Sequence, residues 1–292
     1  MRSISFHPYD IDIDTPRRQG QLETILKYLA MVFCIMSLTS LVIIVVFIFI
    51  KGMGHISLDL LFGVSGNAGM TLRPAFISTI MLISLALTLA LPIGIGAAIY
   101  LVEYSKRQNK IIKLVRLATE VLSGVPSIVF GLFGMIFFCE ILGFGYSLLA
   151  GGLTLALTIL PTIIRATEES LLAVKNSLRE GSYALGARKA QTIFKVIIPV
   201  SIPGIITAII LSIGRMVGES AALIFTSGAV AYTPSFYDQP GSSFAVMMWM
   251  FSNEGLYINA AYATAAVLMI IVIVINISIA VLDSKLKKRR SQ

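Results

Sequence analysis

Histidine and cysteine are nearly absent, with two of each in the chain: His7 and His55, Cys34 and Cys139. Both histidines fall outside the long apolar runs, which leaves no material for a histidine-based catalytic site, and no Ser/His or Asp/Asp constellation occurs within those runs. The cysteines lie in or at the edge of apolar runs without metal-ligand spacing, so they read as small buried hydrophobes rather than a zinc site or a disulfide framework. No Gly-x-x-x-x-Gly-Lys-Ser/Thr stretch is present, which removes phosphate-loop ATP hydrolysis from this chain. Charge is scarce too: 13% of residues are charged against 57% hydrophobic. A soluble domain cannot bury that much apolar surface, so the natural solvent is lipid.

What the chain does contain is long apolar runs. Runs of about 20 residues predict spans near 28–50, 75–102, 117–139, 147–169, 202–226 and 260–282, giving an all-α membrane protein with six transmembrane helices. The third run is interrupted by Gly124, Pro126, Gly131 and Gly134. The Gly124-Val-Pro-Ser127 break reads as a packing kink rather than as an anion-attracting half-helix. The first run follows a polar leader with Asp10, Asp12 and Asp14 and exceeds the ~7 to 15 residues of a secretory core, so it reads as a retained span.

Six spans place both termini on one side, and the basic residues say which. The leader, the loop after the second span (Lys106, Arg107, Lys110, Lys113, Arg116), the stretch from Arg165 to Lys195 and the tail together hold 20 of the 23 Lys and Arg. The positive-inside rule then puts both termini in the cytoplasm, with the basic clusters facing anionic membrane lipid rather than nucleic acid, despite a net charge of +8. The expected organisation is a tail over 1–24, a transmembrane domain over 25–284 with its core at about 75–284, and a basic tail over 285–292. Neither an internal repeat nor a soluble domain is expected.

Between the fourth and fifth spans, Glu180-Gly-Ser-Tyr-Ala-Leu-Gly186 is followed by Val196-Ile-Ile-Pro199. Asn176 or Ser177 suits the N-cap of a short helix, Glu180 its N-terminal end and Gly186 a left-handed exit. The segment resembles the loop of type I ABC importer permeases that reads Glu-Ala-Ala, three residues, Gly, and later Ile-x-Leu-Pro. Glu180, Gly186 and Pro199 match at the family spacing, while Gly181 and Ser182 stand where the family has alanines, and Ala184 lies between. The resemblance implies a cytoplasmic coupling helix, within a loop over 170–200, that docks on a separate ATPase.

Arg215 is the one basic residue deep in a predicted span, about 20 Å along the fifth helix, and Glu219 at i+4 is placed to pair with it. A guanidinium there costs at least ~2.5 to 3.5 kcal/mol, so it needs a partner, a cavity or a passing anion; a buried pair that only fixes packing is the alternative. Its rigid fork suits phosphate oxygens. Near the end of the fourth span, Arg165 with Glu168 and Glu169 makes either an inner gate for the same anion or an interfacial snorkelling group. Glu120, one turn from Arg116, reads as its partner near the membrane surface.

From about Pro74 onward the chain is similar to the PstA-type permeases of phosphate importers. The resemblance rests on Pro92-Ile-Gly-Ile-Gly-Ala-Ala-Ile-Tyr-Leu-Val-Glu-Tyr104, Val125-Pro-Ser-Ile-Val-Phe-Gly-Leu132, Leu160-Pro-Thr-Ile-Ile-Arg-Ala-Thr-Glu168 and Gly214-Arg-Met-Val-Gly-Glu219. It implies that Arg165, Glu168, Arg215 and Glu219 line the phosphate path. Ser220-Ala-Ala-Leu223 departs from the family's Thr-Ala-Pro-Leu, which bears on how the fifth span bends and on phosphate against another oxyanion such as sulfate or molybdate. The implied assembly contains a homologous second permease, a dimeric ATP-binding cassette subunit carrying ATP and Mg, and an extracytoplasmic phosphate-binding protein in a bacterial or archaeal cytoplasmic membrane. No cofactor and no enzymatic role are expected of this chain. An ATP-independent secondary transporter or channel is the alternative from another class.

Overall fold

The computed structural model describes residues 16–63, 71–104, 110–253, 255 and 257–290, without the side chains of 16–22, 111 and 282–290. Most of the expected N-terminal tail, Lys106 and Arg107 of the second loop, and the side chains of the basic tail therefore lie outside the described residues. The chain divides into a unit up to Ile50 and a second from Lys51 onward. The first consists, where described, of helix α1 (Pro16–Met53) as far as Ile50, and the residues of α1 from Glu23 meet the length and apolarity of a membrane span. Cys34 sits on it and is exposed, contrary to the expectation of burial, because an apolar span has lipid as its solvent.

The second unit runs α2 (Leu58–Phe62), α3 (Arg73–Ile99, widening into a π turn at Tyr100–Tyr104), α4 (Lys110–Gly124) and α5 (Ser127–Gly134, continued as a π turn to Ile141). It continues with α6 (Leu148–Leu172), α7 (Asn176–Ala184), α8 (Lys189–Thr192) and a π turn at Ile193–Ile197 leading into α9 (Ile198–Val217). α10 (Ala221–Ile224), α11 (Phe244–Asn253) and α12 (Ile258–Arg290) complete it. Among the described residues, five helices are long and apolar enough to cross a membrane, and a sixth crossing exists if α4 and α5 count as one span.

That pair corrects the expected third span. Instead of a kinked helix over 117–139, α4 and α5 meet at 102°. Pro126 is the cause: its ring fixes φ at −59°, it donates no backbone hydrogen bond, and it drives Val125 out of helical geometry. The chain restarts with the Val129 N–H donating to the Pro126 carbonyl at 3.0 Å.

α3 and α6 form the centre. Leu82, Ala86 and Ala90 pack on Leu148, Leu155, Ile159 and Ile163, with Met216, Leu223 and Val246 closing the cluster. Small residues permit this approach: a Cβ added at Gly94 would lie 2.7 Å from Ile163 Cγ2, and one at Gly131 would lie 2.8 Å from Ala222 Cα. In lipid, where apolar burial gives little drive for helices to associate, such close packing carries much of the association.

The fifth span also differs from expectation. The continuous helical run is Lys189–Val217, and the chain breaks at Gly218 rather than continuing to 226. The released segment has a structural duty, because the N-terminus of α6 needs acceptors for its unpaired N–H groups. Ser147, Leu148 and Leu149 donate to the carbonyls of Thr226, Gln239 and Tyr237 at 3.1, 2.9 and 2.8 Å. Ala150 donates to Ser147 Oγ at 3.2 Å. Irregular backbone among spans is tolerable because both partners satisfy their polar groups within protein.

Candidate functional site

One face of α6 carries a column of polar side chains. Thr162 and Arg165 are one turn apart, and Glu168 and Glu169 follow a turn later. Thr162 and Glu168 each make contact with another helix, and Arg165 and Glu169 with one another. Arg215, in the last turn of α9, donates from Nη1 to Thr162 Oγ1 at 3.4 Å. Arg116 of α4 holds Glu168 at 2.6 Å, with 15% of the glutamate side chain exposed. Arg165 reaches Glu169 only loosely, at 3.9 Å, and is itself 56% exposed. Beside the column, Leu101, Arg116, Thr119, Glu120, Arg165 and Glu168 line a cavity of about 180 Å³, the space of about six waters.

Three expected pairings are replaced. Arg215 and Glu219 form no ion pair, since the helix ends at Val217 with Gly218 as its cap and Glu219 no longer shares a helical face with Arg215. Glu219 Oε1 instead accepts from the Ala222 N–H at 3.2 Å and caps α10, whose N-terminal N–H groups need an acceptor. Arg215 is thus not mid-helix but at a C-terminal end, where a cation complements the exposed carbonyls. Glu168 pairs with Arg116 rather than with Arg165, and so Arg116 is not the partner of Glu120, which faces the shared cavity. The break at 218–220 forms without a proline, with Ser220 at φ −122° and ψ −46°.

The second region is the loop between α6 and α9. The short helix expected there exists as α7, and none of its residues is buried. Its N-cap is Lys175, not Asn176 or Ser177: Asn176 is already helical, and its Oδ1 accepts from Arg179 Nη1 at 3.2 Å. Gly186 adopts φ +80°, the left-handed exit that favours glycine, with its N–H donating to the Tyr183 carbonyl at 2.9 Å. Glu180, Gly181, Ala184 and Gly186 are exposed, and a Cβ at Gly181 or Gly186 would meet nothing within 4 Å. Ser182 turns inward, its Oγ 2.9 Å from Thr192 Oγ1, and Pro199 lies exposed in the first turn of α9. Leu185, 89% exposed, stands at the end of α7.

Four residues were not singled out for these contacts by sequence: Thr162, Arg116, Arg179 and Glu103. Arg116 and Arg179 count as loop cations in a charge census, and the Arg179–Glu103 pair joins positions 76 residues apart, beyond the reach of any local spacing rule.

Residues 90–289 match the family described as "Binding-protein-dependent transport system inner membrane component". The probable ABC transporter permease protein YqgI of Bacillus subtilis is 32% identical over 261 residues, 83% of this chain and 88% of that protein. The phosphate transport system permease protein PstA of Yersinia pestis is 34% identical over 223 residues, 76% of this chain and 75% of that protein. PstA 1 of Mycobacterium tuberculosis is 42% identical over a shorter stretch of 154 residues, 53% of this chain and 50% of that protein. Among solved structures, the inward-facing MetNI methionine ABC transporter aligns with a TM-score of 0.61 at 22% identity, over 74% of this chain and 95% of its own. A bacterial alginate ABC transporter, in complex with a pentasaccharide-bound periplasmic protein, aligns with the same TM-score of 0.61 at 13% identity, over 89% of this chain and 93% of its own. At those identities the likeness is one of fold, and it is the fold that the importer-permease resemblance implies. The family match covers more than half of the chain, which belongs to the binding-protein-dependent transport system inner membrane components.

Proposed function

We propose that this chain is one of two membrane permeases of an ATP-driven phosphate importer. The observation that carries the reading is the position of Arg165 and Arg215: both are exposed, and both flank the same stretch of α6 about one turn apart. Guanidinium groups on the outer surface of a membrane-spanning bundle are costly against lipid, so that surface faces water or a polar partner rather than hydrocarbon. A column of arginines partly neutralised by Glu168 and Glu169 attracts a small oxyanion without trapping it, because each carboxylate competes for the same donors. Relatives that are phosphate transport permeases support the choice of phosphate over sulfate or molybdate.

On this reading α7, with Glu180, Gly181, Ser182, Ala184 and Gly186, is the contact with a dimeric ATP-binding cassette subunit, and Pro199 starts the span that follows. ATP and Mg belong to that subunit, and an external binding protein delivers phosphate to the opposite face. Arg215, Thr162 and Arg165 form successive waypoints, and Arg116 with Glu168 the last of them before the cytoplasm. Glu219 acts by fixing the break after α9 and hence where Arg215 projects. Both termini lie in the cytoplasm of a bacterial or archaeal cell.

The test is labelled-phosphate uptake by vesicles carrying the complete importer, with sulfate as competitor. Arg215→Ala should lower uptake by about 10- to 100-fold, the worth of a charged hydrogen bond, while the complex still assembles. Uptake by Arg215→Ala at the native rate would make the arginine a packing residue; uptake equally inhibited by sulfate would replace phosphate with a broader oxyanion class.

A further inference from the structure

α7 has no buried residues, so whatever moves it must be passed to the spans through few contacts. One side chain dominates them. Arg179 Nε and Nη2 both donate to Glu103 Oε1, at 3.2 and 3.0 Å. Nη1 donates to the Val174 carbonyl at 2.7 Å and to Asn176 Oδ1 at 3.2 Å, and Nη2 to the Leu171 carbonyl at 2.9 Å. These contacts occupy all five N–H groups of the guanidinium. Leu171 and Val174 supply carbonyls at the end of α6, where a cation is favoured. The pair is largely covered, with 16% of the Arg179 side chain and 7% of the Glu103 side chain exposed.

Glu103 is presented by the π turn that ends α3, and π turns within helices are frequently found at functional sites. The next residue in that turn makes a second, independent link: the Lys189 ammonium sits 4.8 Å from the centre of the Tyr104 ring, tying α8 to the same turn. One π turn therefore contacts both α7 and α8, the helix that follows it. α3 is in turn packed along α6, the helix that bears the polar column.

We propose that Arg179 and Glu103 are positioning residues that transmit movement of α7 to the ends of α3 and α6, so that ATP hydrolysis on a partner is converted into opening of the transport path. The proposal rests on the reading of α7 as the ATPase contact. A lysine cannot replace Arg179, because an ammonium has three donors and no planar fork to span Glu103 and two carbonyls together. Glu103→Gln keeps the shape and one oxygen acceptor but removes the charge.

The experiment uses the complete importer in proteoliposomes and reads ATP hydrolysed per phosphate transported, together with assembly of the complex. Glu103→Gln and Arg179→Lys should assemble, retain hydrolysis and raise the ratio about fivefold, within the range for a substitution along a packed path. The double variant should be no worse than the worse single, since both act on one contact. An unchanged ratio in assembled Glu103→Gln importer overturns the proposal, and so does failure of that mild variant to assemble, which would make the pair a folding contact. Gly186→Asp, run in parallel, separates the two levels. If it leaves ATPase attachment and the ratio native, the docking role of α7 fails and the proposal with it; if it uncouples while Glu103→Gln does not, only the proposal fails.

Discussion

A guanidinium among membrane spans requires acceptors, and the three arginines near α6 find them to different degrees. Arg116 is held tightly by Glu168, Arg165 only loosely by Glu169, and Arg215 has a single long hydrogen bond to Thr162. The gradient suits an anion that exchanges one arginine for the next, with Glu168 returning to Arg116 once the anion has left. Arg116→Ala and Glu168→Ala should therefore be non-additive in phosphate uptake. A double-mutant cycle should give a coupling of about 1 kcal/mol, or ~5-fold in rate, at the modest end because the Arg116 side chain is 46% exposed. Strict additivity would mean that the 2.6 Å contact is incidental to transport.

Elements differ in how far the chain announces them. The spans with an uninterrupted apolar run were legible to within a few residues: α6 was expected over 147–169 and is Leu148–Leu172. α7 and its glycine exit were legible because a left-handed exit is a local requirement, whereas its N-cap fell on Lys175, which caps with no side-chain hydrogen bond. The fifth span was misjudged at both ends, since an apolar run does not reveal that residues after Gly218 supply carbonyls to the distant N-terminus of α6. For the same reason the site was half legible: Arg165, Glu168 and Arg215 stand out by type and place, and the i+4 pair of Arg165 with Glu169 forms, but the partners of Glu168 and Arg215 come from other helices. The i+4 rule that paired Arg215 with Glu219 holds only while the helix continues. At the exit of α7 the local rule makes a measurable claim. Gly186 has φ +80° and open space around it in this chain, so backbone strain and partner contact can be told apart there. Gly186→Asn, which tolerates the left-handed region, should retain most ATPase coupling, whereas Gly186→Ala should pay about 1 to 2 kcal/mol of strain and lose more. If Asn, the larger side chain, is instead the more damaging, the constraint is a close-fitting partner surface and not the backbone.

At the scale of the whole molecule, the proposed orientation rests on where the charge lies. With 20 of the 23 lysines and arginines on or next to one set of loops, the opposite topology would carry nearly every basic cluster across the membrane. The surface chemistry agrees with the functional division: exposed α7 is flanked by Lys175, Arg188 and Lys189, while the segment from Tyr232 to Gln239 has no lysine or arginine. Single-cysteine labelling checks this directly in a background where Cys34 and Cys139 are replaced by serine and alanine. A membrane-impermeant maleimide added to intact cells should label Ser235→Cys, which is exposed on the segment proposed to face outward, and should reach Gln191→Cys in α8 only after the membrane is opened. Labelling of Gln191→Cys in intact cells would turn the chain over, place α7 away from ATP, and remove the physical basis for the coupling role of that loop. Labelling of both positions from outside would show instead that the loop around α8 is reached through the transport path, which the native assembly should prevent once the ATPase subunits are docked.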